Sequence, residues 1–143
     1  MAPTPPPATS AGTSPPPHRG AAARQLRAIR GAVTVDHDEP EAIYRATRDL
    51  LSTIVSRNAI EADDIISVIF TVTPDLTSAF PALAARQMGW LDVPLLCTME
   101  IPVPGALGRC IRVLLHVESS RSRAGIEHVY LGAAEVLRPD LAI

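Results

Sequence analysis

Residues 109–117, RCIRVLLHV, alternate with a two-residue period. Cys110, Arg112, Leu114 and His116 fall on one side, and Ile111, Val113, Leu115 and Val117 on the other. Only an extended strand sends successive side chains to opposite faces. One face of this strand is wholly aliphatic and demands cover, while the other carries an arginine and a histidine among apolar neighbours. The covering material must itself be aliphatic, because aromatic residues make up only 3% of the chain: Tyr44, Phe70, Phe80, Trp90 and Tyr130.

The remaining segments supply the partners. Leu26–Val35 reads as a strand in which Gly31 marks a bulge or a close approach. Residues 38–41 open a helix, with Asp38 as its cap, Pro40 in its first turn and Glu41 three residues on. Ile43, Ala46, Thr47, Leu50 and Ile54 form its buried stripe, and Asn58 is its expected terminator. An acidic turn, Glu61–Asp64, leads into Ile65–Val72, whose nearly continuous apolar sequence predicts a strand buried on both faces. After the turn at 73–76, Thr77 or Ser78 caps a second helix that tolerates Pro81 and stops at Gly89. Val93–Glu100 is a third strand, Pro102, Pro104 and Gly105 force a loop, and Arg109–Val117 is the fourth strand. A polar loop at 118–124, a short strand at Val129–Leu131 and a turn at 138–140 complete the chain. This order of elements gives an α/β (α+β) fold: a mixed β-sheet with helices on one face.

A length of 143 residues allows one domain. Seven of the 14 prolines lie in the first 17 residues, and no acidic residue precedes Asp36. Residues 1–24 are therefore expected to be a disordered Pro/Ala-rich extension and residues 25–143 the folded domain. An organellar leader is also acid-poor and arginine-bearing, but this segment is too rich in proline for the amphipathic helix such leaders use. Its PPP runs suit either a partner-docking segment or an idle linker. No apolar run approaches the ~18–20 residues of a spanning helix. A net charge of −2 argues against a general nucleic-acid binder. Two cysteines, Cys97 and Cys110, provide neither a disulfide framework nor a four-ligand zinc pattern, and the cytoplasm is the default compartment. All 13 basic residues are arginine. Codon bias explains that, and so does a need for bidentate carboxylate recognition.

The usual catalytic signatures are missing: no phosphate-binding glycine loop, no HExxH, no GxSxG. His18, His37, His116 and His128 have no metal-ligand spacing. The expectation is chemistry without metal, cofactor or covalent intermediate. What remains is a set of charges inside apolar strands: Arg30, Glu100 and Arg112. Burying a lone charge is costly unless it is paired. One reading is a structural Glu100–Arg112 ion pair. The other is a pocket of convergent arginines for a small polycarboxylate. Strand parity puts Cys97 and Glu100 on opposite faces, so a pocket holding both requires the strand to bend or end between them. Cys97, Cys110, Phe80 and Trp90 read as core from their surroundings. Tyr130 can pack its ring while its hydroxyl bonds a carboxylate.

RAIRGAVTV, TPDLTSAFPALAARQMGW, VPLLCTMEI, GRCIRVLLHV and HVYLGAAEVLRPDL, taken together, resemble the monofunctional chorismate mutases of the trimeric α/β type, from about Arg27 to Leu141. The resemblance implies a homotrimeric pseudo-α/β-barrel with active sites at subunit interfaces. It implies the rearrangement of chorismate to prephenate in phenylalanine and tyrosine synthesis. By position, Arg30 matches the family's substrate-carboxylate arginine, Arg112 the arginine on the ether oxygen, and Glu100 the glutamate on the ring hydroxyl. Cys97 matches a hydroxyl-side partner and Tyr130 a carboxylate partner. Phe80, Ala82, Arg86 and Leu137 match lining or entrance positions. The chain departs from some relatives at Leu83, where they carry an entrance lysine, and in its short C-terminus. The alternative is a non-catalytic trimeric protein that binds a small carboxylate in the same cleft.

Overall fold

The computed structural model describes residues 2–5 and 23–137. The expected disorder of most of the extension and the expected turn at 138–140 lie outside the described residues. Five strands form one mixed sheet in the order β3-β2-β4-β1-β5, from β1 (Gln25–Thr34), β2 (Ile65–Val72), β3 (Leu95–Met99), β4 (Cys110–Ser119) and β5 (Val129–Leu131). The alternating segment, β4, is the central strand. It runs antiparallel to β1 on one side and to β2 on the other. β3 extends β2 in parallel, and β5 extends β1 in parallel.

The aliphatic side of β4 is buried as its pattern requires. Ile111, Val113, Leu115 and Val117 join Ile29 and Val33 of β1 and Val68 and Phe70 of β2 in the main core. Helix α1 (Pro40–Asn58) covers this face with Ile43, Leu50, Leu51 and Ile54. Gly31 makes the close approach possible: a Cβ there would lie 2.9 Å from Ile54 Cδ1 and 3.1 Å from both Leu50 Cδ1 and Val113 Cγ2. The pairing of β1 with β4 is continuous past Gly31, so close approach, not a bulge, accounts for the glycine.

Several boundaries differ from the sequence expectations. The cap of α1 is Glu39, without a side-chain hydrogen bond. Asp38 instead reaches across to the loop before the second helix, accepting from Thr77 N, Thr77 Oγ1 and Ser78 N. Neither Thr77 nor Ser78 caps the second helix, which begins at Ala82 with Pro81 in the cap position. Helix α2 is only Ala82–Gln87, entered through Pro81, with Gly89 at φ +93° beyond it. Asn58 is the last residue of α1, and the left-handed residue that ends it is Ala59. β3 stops at Met99 because its partner β2 stops at Val72. β4 continues to Ser119 because β1 begins opposite it at Gln25.

The second face of β2 is the main departure. Ile69 and Thr71 are half-buried and Ile66 is exposed, so the strand is buried on one face in this chain. The helices α1 and α2 cover one side of the sheet. Part of the other side is covered by a 3-10 turn, Gly132–Leu137, which shields Ala32, Cys110 and Tyr130 with Ala134 and Leu137. Thr34 Oγ1 accepts from Ala133 N and holds this turn down. No helix among the described residues is long and apolar enough to cross a membrane.

Candidate active site

On the open side of the sheet, four of the expected residues come together, three of them from the neighbouring strands β4, β1 and β5. Arg30 lies on β1, Arg112 on β4 and Tyr130 on β5, and Glu100 immediately follows β3. The registers Ala32↔Arg112, Ala32↔Tyr130 and Thr71↔Arg112 place Arg112, Tyr130 and Thr71 along one row across the sheet, with Arg30 one same-face step away, opposite Leu114. They line a cleft of about 320 Å³ with Thr71, floored by Ile69 and Leu114. Glu100 is turned into this cleft by a backbone bond from its N–H to Val72 O, 2.9 Å, just beyond the last pair of the β2–β3 ladder.

Arg112 Nε stands 3.2 Å from Glu100 Oε1, so the structural ion pair exists. It does not consume the guanidinium. Nε is buried without a hydrogen-bond partner, because the carboxylate lies off the N–H direction. The Arg112 side chain keeps 38% of its surface exposed, on the cleft. A buried donor left unsatisfied by the protein is costly and calls for a reason, of which a catalytic role is one. Arg30 has no side-chain hydrogen bond or ion pair among the described residues, and neither does the Tyr130 hydroxyl. The cleft therefore presents two guanidinium groups and a phenol with unspent donors, beside one carboxylate. The chemistry of that set is complementary to a small molecule carrying two carboxylates.

Thr71 was not foreseen. Its hydroxyl donates to Glu100 Oε1 at 2.5 Å. The available signal was a threonine inside the apolar run IISVIFTV, whose role depends on a register that sequence does not display.

Cys97, Phe80, Ala82 and Arg86 do not enter this cleft within one chain. Cys97 lies on the helix-covered side of β3, as parity requires. It lines a second hollow of about 450 Å³ with Tyr44, Leu76, Phe80, Leu83 and Met99, whose lining contains no charged side chain. Burial pushes the Cys97 thiol above its ordinary value, opposed by a hydrogen bond from the Ala82 backbone N–H and by the nearby charge of Arg86. Phe80 is not core: it is 74% exposed at the mouth of this hollow, whereas Trp90 is buried. Leu137 packs in the small cluster that backs Tyr130. Cys110, beneath Arg112, is fully buried, and burial raises its thiol as well. Among the described residues, no group of three His, Cys, Asp or Glu side chains is placed to hold a metal ion.

The family model described as chorismate mutase type I matches residues 26–141. Chorismate mutase AroH of Thermus thermophilus is 54% identical over 117 residues, 81% of this chain and 96% of that protein. Chorismate mutase AroH of Bacillus subtilis (strain 168) is 42% identical over 119 residues, 82% of this chain and 94% of that one. A solved chorismate mutase from Clostridium thermocellum superposes with a TM-score of 0.76 at 51% identity, covering 76% of this chain and 97% of its own.

Proposed function

This chain belongs to the chorismate mutase type I family, and we propose from that premise how its own residues convert chorismate to prephenate. The activity is that of a chorismate mutase, an isomerase of aromatic biosynthesis. The single observation that carries the site assignment is the convergence of Arg30, Glu100, Arg112 and Tyr130 on one cleft from strands far apart in sequence.

The reaction breaks a carbon–oxygen bond while a carbon–carbon bond forms. Negative charge develops on the ether oxygen and positive charge on the ring fragment. No proton need move, so no general base is required. Arg112 stabilises the oxygen: a fixed cation there gains strength as the bond breaks, and only interactions stronger in the transition state than in the ground state lower the barrier. One preorganised donor contributes about 3–4 kcal/mol. Glu100 faces the ring hydroxyl and the developing positive charge. Arg30 and Tyr130 take the carboxylates and hold the enolpyruvyl arm over the ring, which contributes through restricted motion. The substrate is a dianion and the chain has a net charge of −2, so the local arginines overcome the global repulsion.

The working unit is a homotrimer with the sites at its subunit interfaces. Two features support this. Of the expected substrate contacts, Arg30, Glu100, Arg112 and Tyr130 line one hollow and Phe80 and Cys97 another, and a substrate can touch both sets only where two copies meet. The open side of the sheet and the chain around β3 also leave Leu96, Met99, Ile101 and Phe80 between 60% and 79% exposed. In the assembly, one copy supplies Arg30, Glu100, Arg112 and Tyr130, and its neighbour supplies the wall of Phe80, Ala82 and Arg86. Cys97 acts as a neutral hydrogen-bonding group. Residues 25–143 form the catalytic domain and residues 1–24 an extension outside it. The free thiols Cys97 and Cys110 suit the cytoplasm. No observation favours the non-catalytic binder over the enzyme. Sedimentation at micromolar protein in parallel with chorismate turnover tests the reading: a mass of three chains with activity is expected, and a fully active monomer overturns the interfacial site.

A further inference from the structure

We propose that His128 is the positioning residue for Arg30, fixing the main chain that aims the Arg30 guanidinium through an imidazole acceptor available only in the neutral ring. This rests on the reading of Arg30 as a ligand of the substrate carboxylate.

The parallel ladder between β1 and β5 begins at Gly31↔Val129, one residue past Arg30. The Arg30 N–H therefore falls just short of the ladder. Its acceptor is not a carbonyl but His128 Nδ1, at 2.9 Å. A main-chain N–H can only donate, so Nδ1 carries the lone pair and the ring proton resides on Nε2. A second proton would set an N–H against an N–H, and the bond would be lost.

His128 is itself held from behind. Asn58, buried at the end of α1, donates through Nδ2 to Glu127 O at 2.8 Å and accepts at Oδ1 from Glu127 N, also at 2.8 Å. The same Nδ2 is anchored to Ile54 O at 2.9 Å. A continuous relay thus runs from the end of α1, through the main chain of Glu127 and the His128 ring, to the backbone of Arg30. Neither Asn58 nor His128 lines the substrate cleft. Among the described residues, Arg27 from β1, His116 from β4 and Arg123 from the 3-10 turn Arg123–Gly125 share a hollow with the His128 ring, and Glu127 and Tyr130 flank it in its own segment.

The test is steady-state kinetics of the full chain with chorismate between pH 5 and 8, for wild type, His128→Leu, His128→Asn and Arg30→Ala. Asparagine places a non-titrating oxygen near the Nδ1 position. His128→Leu is expected to raise KM about tenfold with kcat changed less than about threefold, and His128→Asn to return KM to within about threefold of wild type. The kcat/KM of wild type is expected to fall towards pH 5, and that fall is expected to be absent in His128→Asn. A KM within twofold of wild type in His128→Leu, or the same acid fall in His128→Asn as in wild type, overturns the proposal. Should His128→Leu not fold, the pH profile of His128→Asn decides. An unchanged KM in Arg30→Ala overturns the assignment of Arg30 itself, and this inference with it. A raised KM there beside an unchanged His128→Leu overturns the role of His128 alone.

Discussion

The Thr71 hydroxyl donates to Glu100 Oε1 at 2.5 Å, and this same carboxylate oxygen lies 3.2 Å from Arg112 Nε. Thr71 sits opposite Arg112 in the β2–β4 ladder. The carboxylate is thereby held by a neutral donor on one side and does not depend on the arginine alone. Arg112 can engage an incoming oxygen without abandoning Glu100 to an unpaired state, which would cost several kcal/mol in a desolvated cleft.

That arrangement predicts the effect of Thr71→Val, which keeps the shape and removes the hydroxyl. A hydrogen bond to a charged group contributes about 1.5–3 kcal/mol, so the melting temperature should fall by a few degrees, and kcat/KM for chorismate should fall about tenfold or more as Glu100 loses its orientation. Full activity in Thr71→Val would show that Glu100 needs no such support.

Asp75 shapes the approach to β4. Its carboxylate accepts from Thr73 Oγ1 at 2.5 Å and from Arg109 N at 2.9 and 3.0 Å, and Arg109 holds a left-handed φ of +47°. The Thr73 hydroxyl first, then the Arg109 backbone N–H and charge, keep the Asp75 carboxyl below its usual range. A carboxyl whose folded pKa is depressed contributes stability that is fully present above its unfolded value of about 3.9 and lost as pH falls through the folded value. Asp75→Asn should therefore melt below wild type at pH 6, and the gap should narrow once the pH drops under about 4. Thermal melts at pH 6 and pH 3 check this, and an equal gap at both contradicts it.

The raised Cys97 thiol predicts low reactivity. Thiolate is the alkylating species, so iodoacetamide should modify Cys97 at pH 7.5 at least about tenfold more slowly than free cysteine, with the rate climbing above pH 9. Cys110, buried beneath Arg112, should stay unmodified in the folded protein. Intact mass spectrometry over time follows both. Modification of Cys97 at the rate of free cysteine would contradict the burial.

The central strand and the main helix were legible because their patterns are local. The two-residue alternation of 110–117 and the stripe Ile43, Thr47, Leu50 and Ile54 each report one buried face, and tertiary packing agrees with them. Arg30, Glu100 and Arg112 stood out because charge inside an apolar run needs a reason. What was not legible depends on pairings between distant segments. Asp38 looks like a cap, but Thr77 and Ser78 compete for its carboxylate from 39 and 40 residues away. The near-continuous apolar run of β2 promised two buried faces, whereas one chain covers only one of them. Thr71, Asn58 and His128 acquire their roles from register and from a loop bond, neither of which has a periodic signature.

The most direct test of the account is the kcat of Arg112→Gln on chorismate, measured beside the variant's circular dichroism and solution mass. The guanidinium is assigned the charge that forms as the carbon–oxygen bond breaks, so kcat should fall about a thousandfold or more while fold and assembly are retained. A loss of less than tenfold in a folded variant would contradict that assignment.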